Sequence, residues 1–367
     1  MGASSSSSSS SSSASGLKAL VIGGGGFLGR HLVDELLARG WQASVFDVRK
    51  TFDDARIPFF TGDLRKEEDL LPALRGIDVV FHCATPAPLS KNRALFIDVN
   101  VNGTKTIVAA CKAAGVHRMV VTSSASVIYA GADLELANED VPYANPPIDA
   151  YTETKAEQEQ IVLDANNDTG KEATSFLTVA IRPHGIFGPR DPHLVPTLAT
   201  MARAGKSKYI IGNGKNVVDF TYVKNVVHGH ILAAEKLTCG SKVAGKAYHI
   251  TNDEPIRFWG FMEQILVGLD YPAPYLHIPY WLVYFIALVL ALITKLLSPI
   301  TKLNPTFTPL TVALAGTHHS YDCARAKKDL GYAPVISLKD AIAETIATCE
   351  QWRNPKAAPA KPSKKQK

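Results

Sequence analysis

Seven residues constrain this chain more than any others. Gly23-Gly-Gly-Gly26-Phe-Leu-Gly29 joins a short apolar run, Leu17-Lys-Ala-Leu-Val-Ile22, to a stretch of helical periodicity over 27–39 that stops at Gly40. An apolar run ending in glycines reads as a buried strand, and the periodic stretch as a helix closed by glycine. Between them the glycines permit a tight turn and close backbone approach. The first turn of the helix offers unpaired N–H groups to an anion. The spacing through Gly23, Gly26 and Gly29 is G-x-x-G-x-x-G. In a strand–turn–helix setting it predicts the pyrophosphate turn of a dinucleotide-binding domain.

The same alternation continues down the chain. Strands are predicted at 43–47, 57–60, 78–82, 119–123 and 176–181, with helical patterns at 66–74, 95–114 and 151–165. Strands alternating with helices argue for a parallel sheet covered on both faces. The expected fold is α/β: a Rossmann-type doubly wound parallel sheet over residues 17–182, with a smaller C-terminal substrate lobe over 183–350. That lobe opens where proline and glycine become frequent (Pro183, Gly185, Gly188, Pro189, Pro192, Pro196) and regular patterning breaks. Residues 1–16 are nearly all serine and predict a disordered leader, and 351–367 form a basic tail.

Charge decides against one large class of partner. The formal net charge is +5, but five lysines and no acid fall in 355–367, so the remainder is near neutral. A nucleic-acid reader carries its basic patch on the folded body, so nucleic acid is excluded. The five cysteines (Cys83, Cys111, Cys239, Cys323, Cys349) show no metal-ligand spacing and are odd in number, which fits a reduced compartment and small core side chains.

One segment is out of keeping with a soluble body. No Asp, Glu, Lys or Arg occurs from Tyr271 to Thr294, and 280–294 (YWLVYFIALVLALIT) is almost purely apolar. It is short for a spanning helix, which needs ~20 residues, and too apolar all round for a surface helix. A membrane-embedded or interface-lying helix over 280–300 is expected, with Tyr280, Trp281, Tyr284 and Phe285 near one end and Lys295 snorkelling at the other. A buried core helix is the competing reading.

Several residues carry candidate chemistry. Asp47 ends the second strand eighteen residues after Gly29. An acid there accepts hydrogen bonds from ribose hydroxyls and repels a 2′-phosphate, which favours NAD; Arg49 and Lys50 close behind leave NADP open. Asp63, after the third strand, either meets the adenine amino group or caps the helix ahead of it. Tyr151 and Lys155 stand four apart at the start of a helical pattern, hence on one face. An ammonium beside a phenol lowers its pKa from near ~10 and lets it exchange a proton at neutral pH. Ser123-Ser124-Ala-Ser126 ends a strand in the same half, where a hydroxyl could hold a substrate oxygen. No G-x-S-x-G elbow frames these serines, and the histidines, His228 and His230 included, lack metal spacing.

These pieces together resemble the extended short-chain dehydrogenase/reductase family, and within it the 3β-hydroxysteroid dehydrogenase branch. The motifs are Gly23-x-x-Gly26-x-x-Gly29, Asp47, Asp63-Leu64, Asn100-Val-Asn-Gly-Thr104, Ser124, Tyr151-x-x-x-Lys155 and Arg182-Pro-x-x-x-Phe-Gly-Pro189. Longer matching stretches include Ile181-Arg-Pro-His-Gly-Ile-Phe-Gly-Pro-Arg-Asp191, His249-Ile-Thr-Asn-Asp-Glu-Pro255 and Pro305-Thr-Phe-Thr-Pro309. The resemblance covers about residues 17–350. It implies Tyr151 as acid/base, Lys155 as the cation that tunes it and bonds the nicotinamide ribose, Ser124 (or Ser123) as the substrate-orienting hydroxyl, and Asn100 as support for a proton-relay water. It implies NAD contacts at Gly23, Gly26, Phe27, Leu28, Gly29, Asp47, Asp63, Leu64, Ala84, Tyr151, Lys155, Pro183 and Ile186. Asn225 stands where many relatives carry an acid and is expected to anchor structure.

The resemblance further implies oxidation of the 3β-hydroxyl of a 4α-carboxysterol to a 3-ketone, followed by loss of CO₂. With it come a sterol substrate, membrane association, neighbouring sterol C4-demethylation enzymes, a homodimer, and a cytosol-facing place on the endoplasmic reticulum or a lipid droplet. The terminal Lys364-Lys-Gln-Lys367 matches a dilysine retrieval pattern. A 3β-hydroxysteroid dehydrogenase/isomerase, a nucleotide-sugar epimerase or dehydratase, and a non-catalytic nucleotide-sensing scaffold remain as alternatives.

Overall fold

The computed structural model describes residues 16–88, 90, 92–297 and 308–356, with the Lys295 side chain excepted. Most of the serine leader, the end of the basic tail with its dilysine pattern, residues 298–300 of the apolar segment and most of Pro305–Pro309 therefore lie outside the described residues, as does the Lys295 head group.

Seven parallel strands make the central sheet: β1 (Lys18–Ile22), β2 (Gln42–Asp47), β3 (Phe59–Thr61), β4 (Val79–His82), β5 (Arg118–Thr122), β6 (Leu177–Pro183) and β7 (Lys246–Ile250). Their spatial order is β3-β2-β1-β4-β5-β6-β7, every neighbouring pair parallel. The sequence predicts the first six within one to three residues. The seventh, from residues 246–250, returns from the C-terminal half, so the sheet is not confined to 17–182.

Alternate residues of each strand feed two cores, as a sheet covered on both faces requires. On one face Val21, Val45, Phe81, Val120 and Val179 meet helices α1 (Phe27–Ala38) and α7 (Val223–Lys236) through Leu32, Leu36, Val226 and Ile231. On the other, Leu20, Ile22, Phe46, Val80 and Val121 meet α2 (Glu67–Leu74), α4 (Gly103–Ala113) and α5 (Ala150–Asp164) through Leu70, Leu74, Ile107 and Val162. The expected helix at 95–114 is continuous but irregular. A first turn, α3 (Arg93–Phe96), passes through a π-helical stretch, Ile97–Asn102, into α4. Such stretches are rare and gather at functional sites.

The remaining chain builds the lobe. Strands Ile256–Arg257, Val217–Val218, His319–Tyr321 and Leu134–Ala137 form a second sheet in that order, accompanied by α6 (Leu194–Arg203), α8 (Phe258–Gly268), α9 (Tyr280–Leu297) and α10 (Pro309–Gly316). Asn225 ties lobe to sheet as expected of an anchor. It is fully buried on α7, donates to Asn252 Oδ1 and Ile336 O, and accepts from the N–H groups of Val335 and Ile336.

Apolar helix α9 is half seated. Val283 and Ala287 are buried against Val312 and Ala315 of α10, while Trp281 and Leu296 are 69% and 67% exposed. It is therefore not the buried core helix of the competing reading. Among the described residues no helix is long and apolar enough to cross a membrane.

Candidate active site

The strand order reverses between β1 and β4, and at that point the C-terminal ends of the two strands leave a crevice. The glycine turn fills its rim. Gly23 has φ +82°, and a Cβ on it would stand 2.6 Å from the Ala84 backbone nitrogen just past β4. A Cβ on Gly29 would stand 2.2 Å from Gly23 O, so the first turn of α1 rests directly on the loop. Gly26 is the N-cap of α1 and contributes no side chain to it, which leaves the leading N–H groups open to an anion. Asp47 ends β2 and braces the turn: its Oδ2 accepts from Gly25 N at 3.0 Å and its Oδ1 from Val48 N at 2.8 Å. Phe27 and Leu28 open α1, and Leu64 is buried in the core below. This cradle and its acid fit a dinucleotide.

Asp63 is placed otherwise than one reading expected. Helix α2 starts at Glu67 with Lys66 as N-cap, so Asp63 does not cap it. Its carboxylate instead pairs with Arg65, whose guanidinium hydrogen bonds hold it below the usual carboxylate range.

The candidate chemistry converges at the ends of β5 and β6 under α5. Asp149 caps α5 by accepting from Thr152 N at 2.8 Å, which sets Tyr151 in the first turn. The ring packs edge-on against Phe96 at 5.8 Å between centroids. Burial pushes the phenol up to about 12; the Ser124 hydroxyl beside it pulls it down, and the Asp149 carboxylate pushes it up. Ser124 is also bonded to Ser126 Oγ at 2.7 Å and caps the short turn Ala125–Ile128, which fixes it facing Tyr151. Ser123 Oγ is buried without a partner among the described residues.

Lys155 does something the spacing does not predict. Its Nζ donates to Thr122 O at 2.5 Å and to Gln158 Oε1, and the ammonium is not among the groups that shift the phenol. Burial lowers Lys155 itself to about 8. The expected lowering of the Tyr151 pKa by Lys155 is therefore not found in this arrangement. Gln158 passes the contact on to His82 Nε2 (2.9 Å) and Thr104 Oγ1 (3.0 Å), while Thr122 Oγ1 meets His230 Nε2 (2.8 Å). Burial holds His82 near 3 and His230 near 4, so both rings are neutral.

Asn100 sits fully buried in the π-helical stretch. Its Nδ2 donates to Thr154 Oγ1 at 3.1 Å, and its Oδ1 has no partner among the described residues. Pro183 closes β6, and Ile186 lies just beyond on a two-residue strand paired with Thr221.

Gln158, His82 and Glu159, which pairs with buried Arg182 at 2.6 Å, do not stand out from sequence, and the motifs that contain Thr104 and Arg182 give neither a role. The signal for them is in α5 itself. Its buried face is Thr152, Thr154, Lys155, Gln158, Glu159 and Val162. A helix that buries a mostly polar stripe must find partners for it beneath.

Comparison with known proteins bears on this geometry. Residues 20–279 match the 3-beta hydroxysteroid dehydrogenase/isomerase family. The chain is 54% identical to the mouse (Mus musculus) sterol-4-alpha-carboxylate 3-dehydrogenase, decarboxylating, across 92% of each chain. It is 56% identical to the human (Homo sapiens) protein of that name, across 92% of this chain and 90% of the other. An Arabidopsis thaliana 3beta-hydroxysteroid-dehydrogenase/decarboxylase is 41% identical across 89% of this chain and 78% of its own. Among solved structures, gox2253 superposes with a TM-score of 0.73 at 25% identity, covering 91% of this chain and 98% of its own. A UDP-galactose 4-epimerase superposes at 0.68 and 20% identity, covering 91% and 99%, a likeness of fold alone. The chain belongs to the 3-beta hydroxysteroid dehydrogenase/isomerase family.

Proposed function

We propose that this protein oxidises the 3β-hydroxyl of a 4α-carboxysterol and releases the 4-carboxylate as CO₂, with NAD bound in the glycine turn. The observation that carries the reading is identity above one half, across nine-tenths of both chains, to proteins named for that reaction. The clustering of Tyr151 and Ser124, with Lys155 one turn along the same face of α5, supports it. The Asp47 carboxylate at the ribose end of the turn favours NAD over its 2′-phosphorylated form.

Bound NAD supplies the hydride acceptor. The chain's own residues manage the proton. Ser124 holds the C3 oxygen by hydrogen bonding. The Tyr151 phenol, which burial keeps protonated at rest, would give up its own proton beside the positive charge of the oxidised nicotinamide. As the phenolate it takes the C3 hydroxyl proton while the C3–H bond breaks. Lys155 contributes positive charge one turn along α5, and with its pKa near 8 it has a proton to exchange close to neutral pH. The unpartnered Asn100 Oδ1 offers an acceptor on the route by which the first phenolic proton, the one lost before oxidation, reaches solvent. The product is a β-keto acid. When its C4–carboxylate bond breaks, the electron pair moves onto the C3 oxygen, and Tyr151, protonated by the first step, returns its proton to the resulting enolate. The proton taken in oxidation is thus the one that quenches decarboxylation.

The same reading places the protein on a membrane. Trp281, Phe285, Leu288, Leu292 and Leu296 recur at three- and four-residue intervals on the exposed side of α9. Its 18 residues span about 27 Å at 1.5 Å per residue. That is short of the ~30 Å hydrocarbon core, so α9 lies in the interface, and a bilayer-borne sterol reaches the site without crossing water. The cytosolic face of the endoplasmic reticulum is the location proposed, beside the other C4-demethylation enzymes.

The test is direct. Purified protein given NAD and a 4α-carboxysterol should form NADH and CO₂, and Tyr151→Phe should abolish both while leaving NAD binding within about threefold. Full turnover by Tyr151→Phe would refute the assignment.

A further inference from the structure

His184 stands at the edge of the candidate site and has no part in the oxidation of the C3 hydroxyl. The β5–β6 register pairs Thr122 with Ile181, and Ser123 N donates to Ile181 O at 2.7 Å. Just past the ends of the two strands stand Ser124 on one and His184 on the other, Ala125 opening the short turn that Ser124 caps. The His184 ring packs on the small core that Ala125 joins. It stacks at a tilt on Tyr321, 5.0 Å between centroids, and Tyr321 shares a small core with Ala125 and Val127.

The imidazole is held by one nitrogen. Its Nδ1 lies 2.7 Å from the backbone oxygen of Asp219. A carbonyl only accepts, so Nδ1 carries the hydrogen. The other nitrogen, Nε2, has no hydrogen-bond partner among the described residues, and the residue as a whole is half-buried. The groups around the ring do not answer an anion. His319 meets it edge-on at 4.9 Å and is held neutral by burial, and Tyr321 is a phenol pushed far up by burial. The Asp219 carboxyl group accepts from Tyr321 N at 2.8 Å. Of the nearby cations, Lys155 is held by Thr122 O and Gln158, and Arg182 is paired with Glu159 through Nε and Nη2, its Nη1 being buried without a partner among the described residues.

A 4α-carboxysterol brings a carboxylate to the carbon next to the one Tyr151 and Ser124 address. That anion needs a donor within a few ångströms of the reacting centre, and both hydroxyls are committed to the C3 oxygen. We propose that His184 receives the C4 carboxylate through Nε2–H as an imidazolium, and so selects 4-carboxysterols over 3β-hydroxysterols that lack the acid. The inference rests on the proposed sterol-acid oxidation and adds to it the residue that recognises the acid. Burial keeps the ring neutral near 4 on its own. An opposite charge within hydrogen-bonding distance favours the protonated form, so the acid carries its own proton requirement into the site. The contact also holds the carboxylate on the His184 side of the C3–C4 bond until the ketone forms.

The experiment compares the full-length wild type with His184→Leu on two ligands: a 4α-carboxysterol as substrate, and the same 3β-hydroxysterol without the carboxylate as competitor. Loss of a hydrogen bond to a charged group is expected to lower kcat/KM for the acid roughly 10- to 100-fold, with the Ki of the neutral sterol unchanged within about threefold. Equal losses for both ligands would show a structural role and overturn the inference, as would an unchanged kcat/KM for the acid. A wild-type enzyme that fails to oxidise the acid would contradict the proposed function instead, whatever His184→Leu does.

Discussion

Gly29→Ala sets two effects of opposite sign against each other. Gly29 lies in the first turn of α1 with no left-handed backbone to protect. Helix propensity alone therefore favours alanine by about 1 kcal/mol. Against this, the new Cβ would stand 2.2 Å from Gly23 O, 2.7 Å from Gly24 Cα and 2.9 Å from Gly23 C. All three are backbone atoms, so no side chain can rotate away. Restoring an ordinary 3.4 Å contact with Gly23 O means a retreat of α1 by about 1.2 Å. Overpacking of this kind costs about 1–3 kcal/mol, so the contact should win over propensity. The expected result is a Tm lower by roughly 2–4 °C, and NAD affinity weaker by tenfold or more, because the N–H groups at the head of α1 move with the helix. Thermal denaturation and calorimetric NAD titration measure the two. Gly26→Ala is the control: its Cβ meets only Gly23 O, at 3.3 Å, and should do less on both counts. A Gly29→Ala protein with raised Tm and wild-type NAD affinity would refute the steric argument.

Other perturbations test other parts. Glu159→Gln leaves the buried Arg182 guanidinium, 5% exposed, without its counter-charge; the loss should be about 3–5 kcal/mol in urea unfolding, and a loss under 1 kcal/mol would contradict the pairing. Burial raises Asp219 to about 7 from an ordinary value of 3.8. The folded state then keeps a proton the unfolded chain has lost, and stability falls by up to about 1.4 kcal/mol per pH unit as pH rises between those two values. Asp219→Asn should remove that slope, gaining on the wild type from pH 4 to pH 8, whereas parallel stability curves would rule it out. Trp281, Phe285 and Leu292 are 69%, 59% and 58% exposed. Replacing all three by serine should abolish flotation with phospholipid vesicles without lowering Tm, and undiminished flotation would exclude α9 as the membrane contact.

The nucleotide half of the fold is legible in sequence because its signals are local. A buried parallel strand is an apolar run, and a turn that takes no Cβ is glycine at fixed intervals. The seventh strand, 246–250, escapes because Lys246-Ala-Tyr-His-Ile250 lies in the irregular half and carries polar residues that acquire meaning only beside Arg182 on β6. Tyr151 and Lys155 are readable from their spacing. The direction in which Lys155 turns is not, since it is set by Thr122 O and Gln158, one distant in sequence and the other inconspicuous on the same helix face. Asp63 shows a further limit. Two residues on, Arg65 claims its carboxylate, and a pair so close in sequence outcompetes a helix that begins only at Glu67. His184 gains its interest from an atom left unpaired, which no spacing reveals, whereas Asn100 is already expected from the resemblance.

The most direct measurement is the stoichiometry of the two products. With a 4α-carboxysterol labelled at the carboxyl carbon, saturating NAD and the full-length protein, NADH and labelled CO₂ should appear in a one-to-one ratio in a single coupled time course, and Tyr151→Phe should yield neither. NADH formed without CO₂, or turnover of the neutral 3β-hydroxysterol in place of the acid, would contradict the proposal that this site oxidises and decarboxylates a sterol acid.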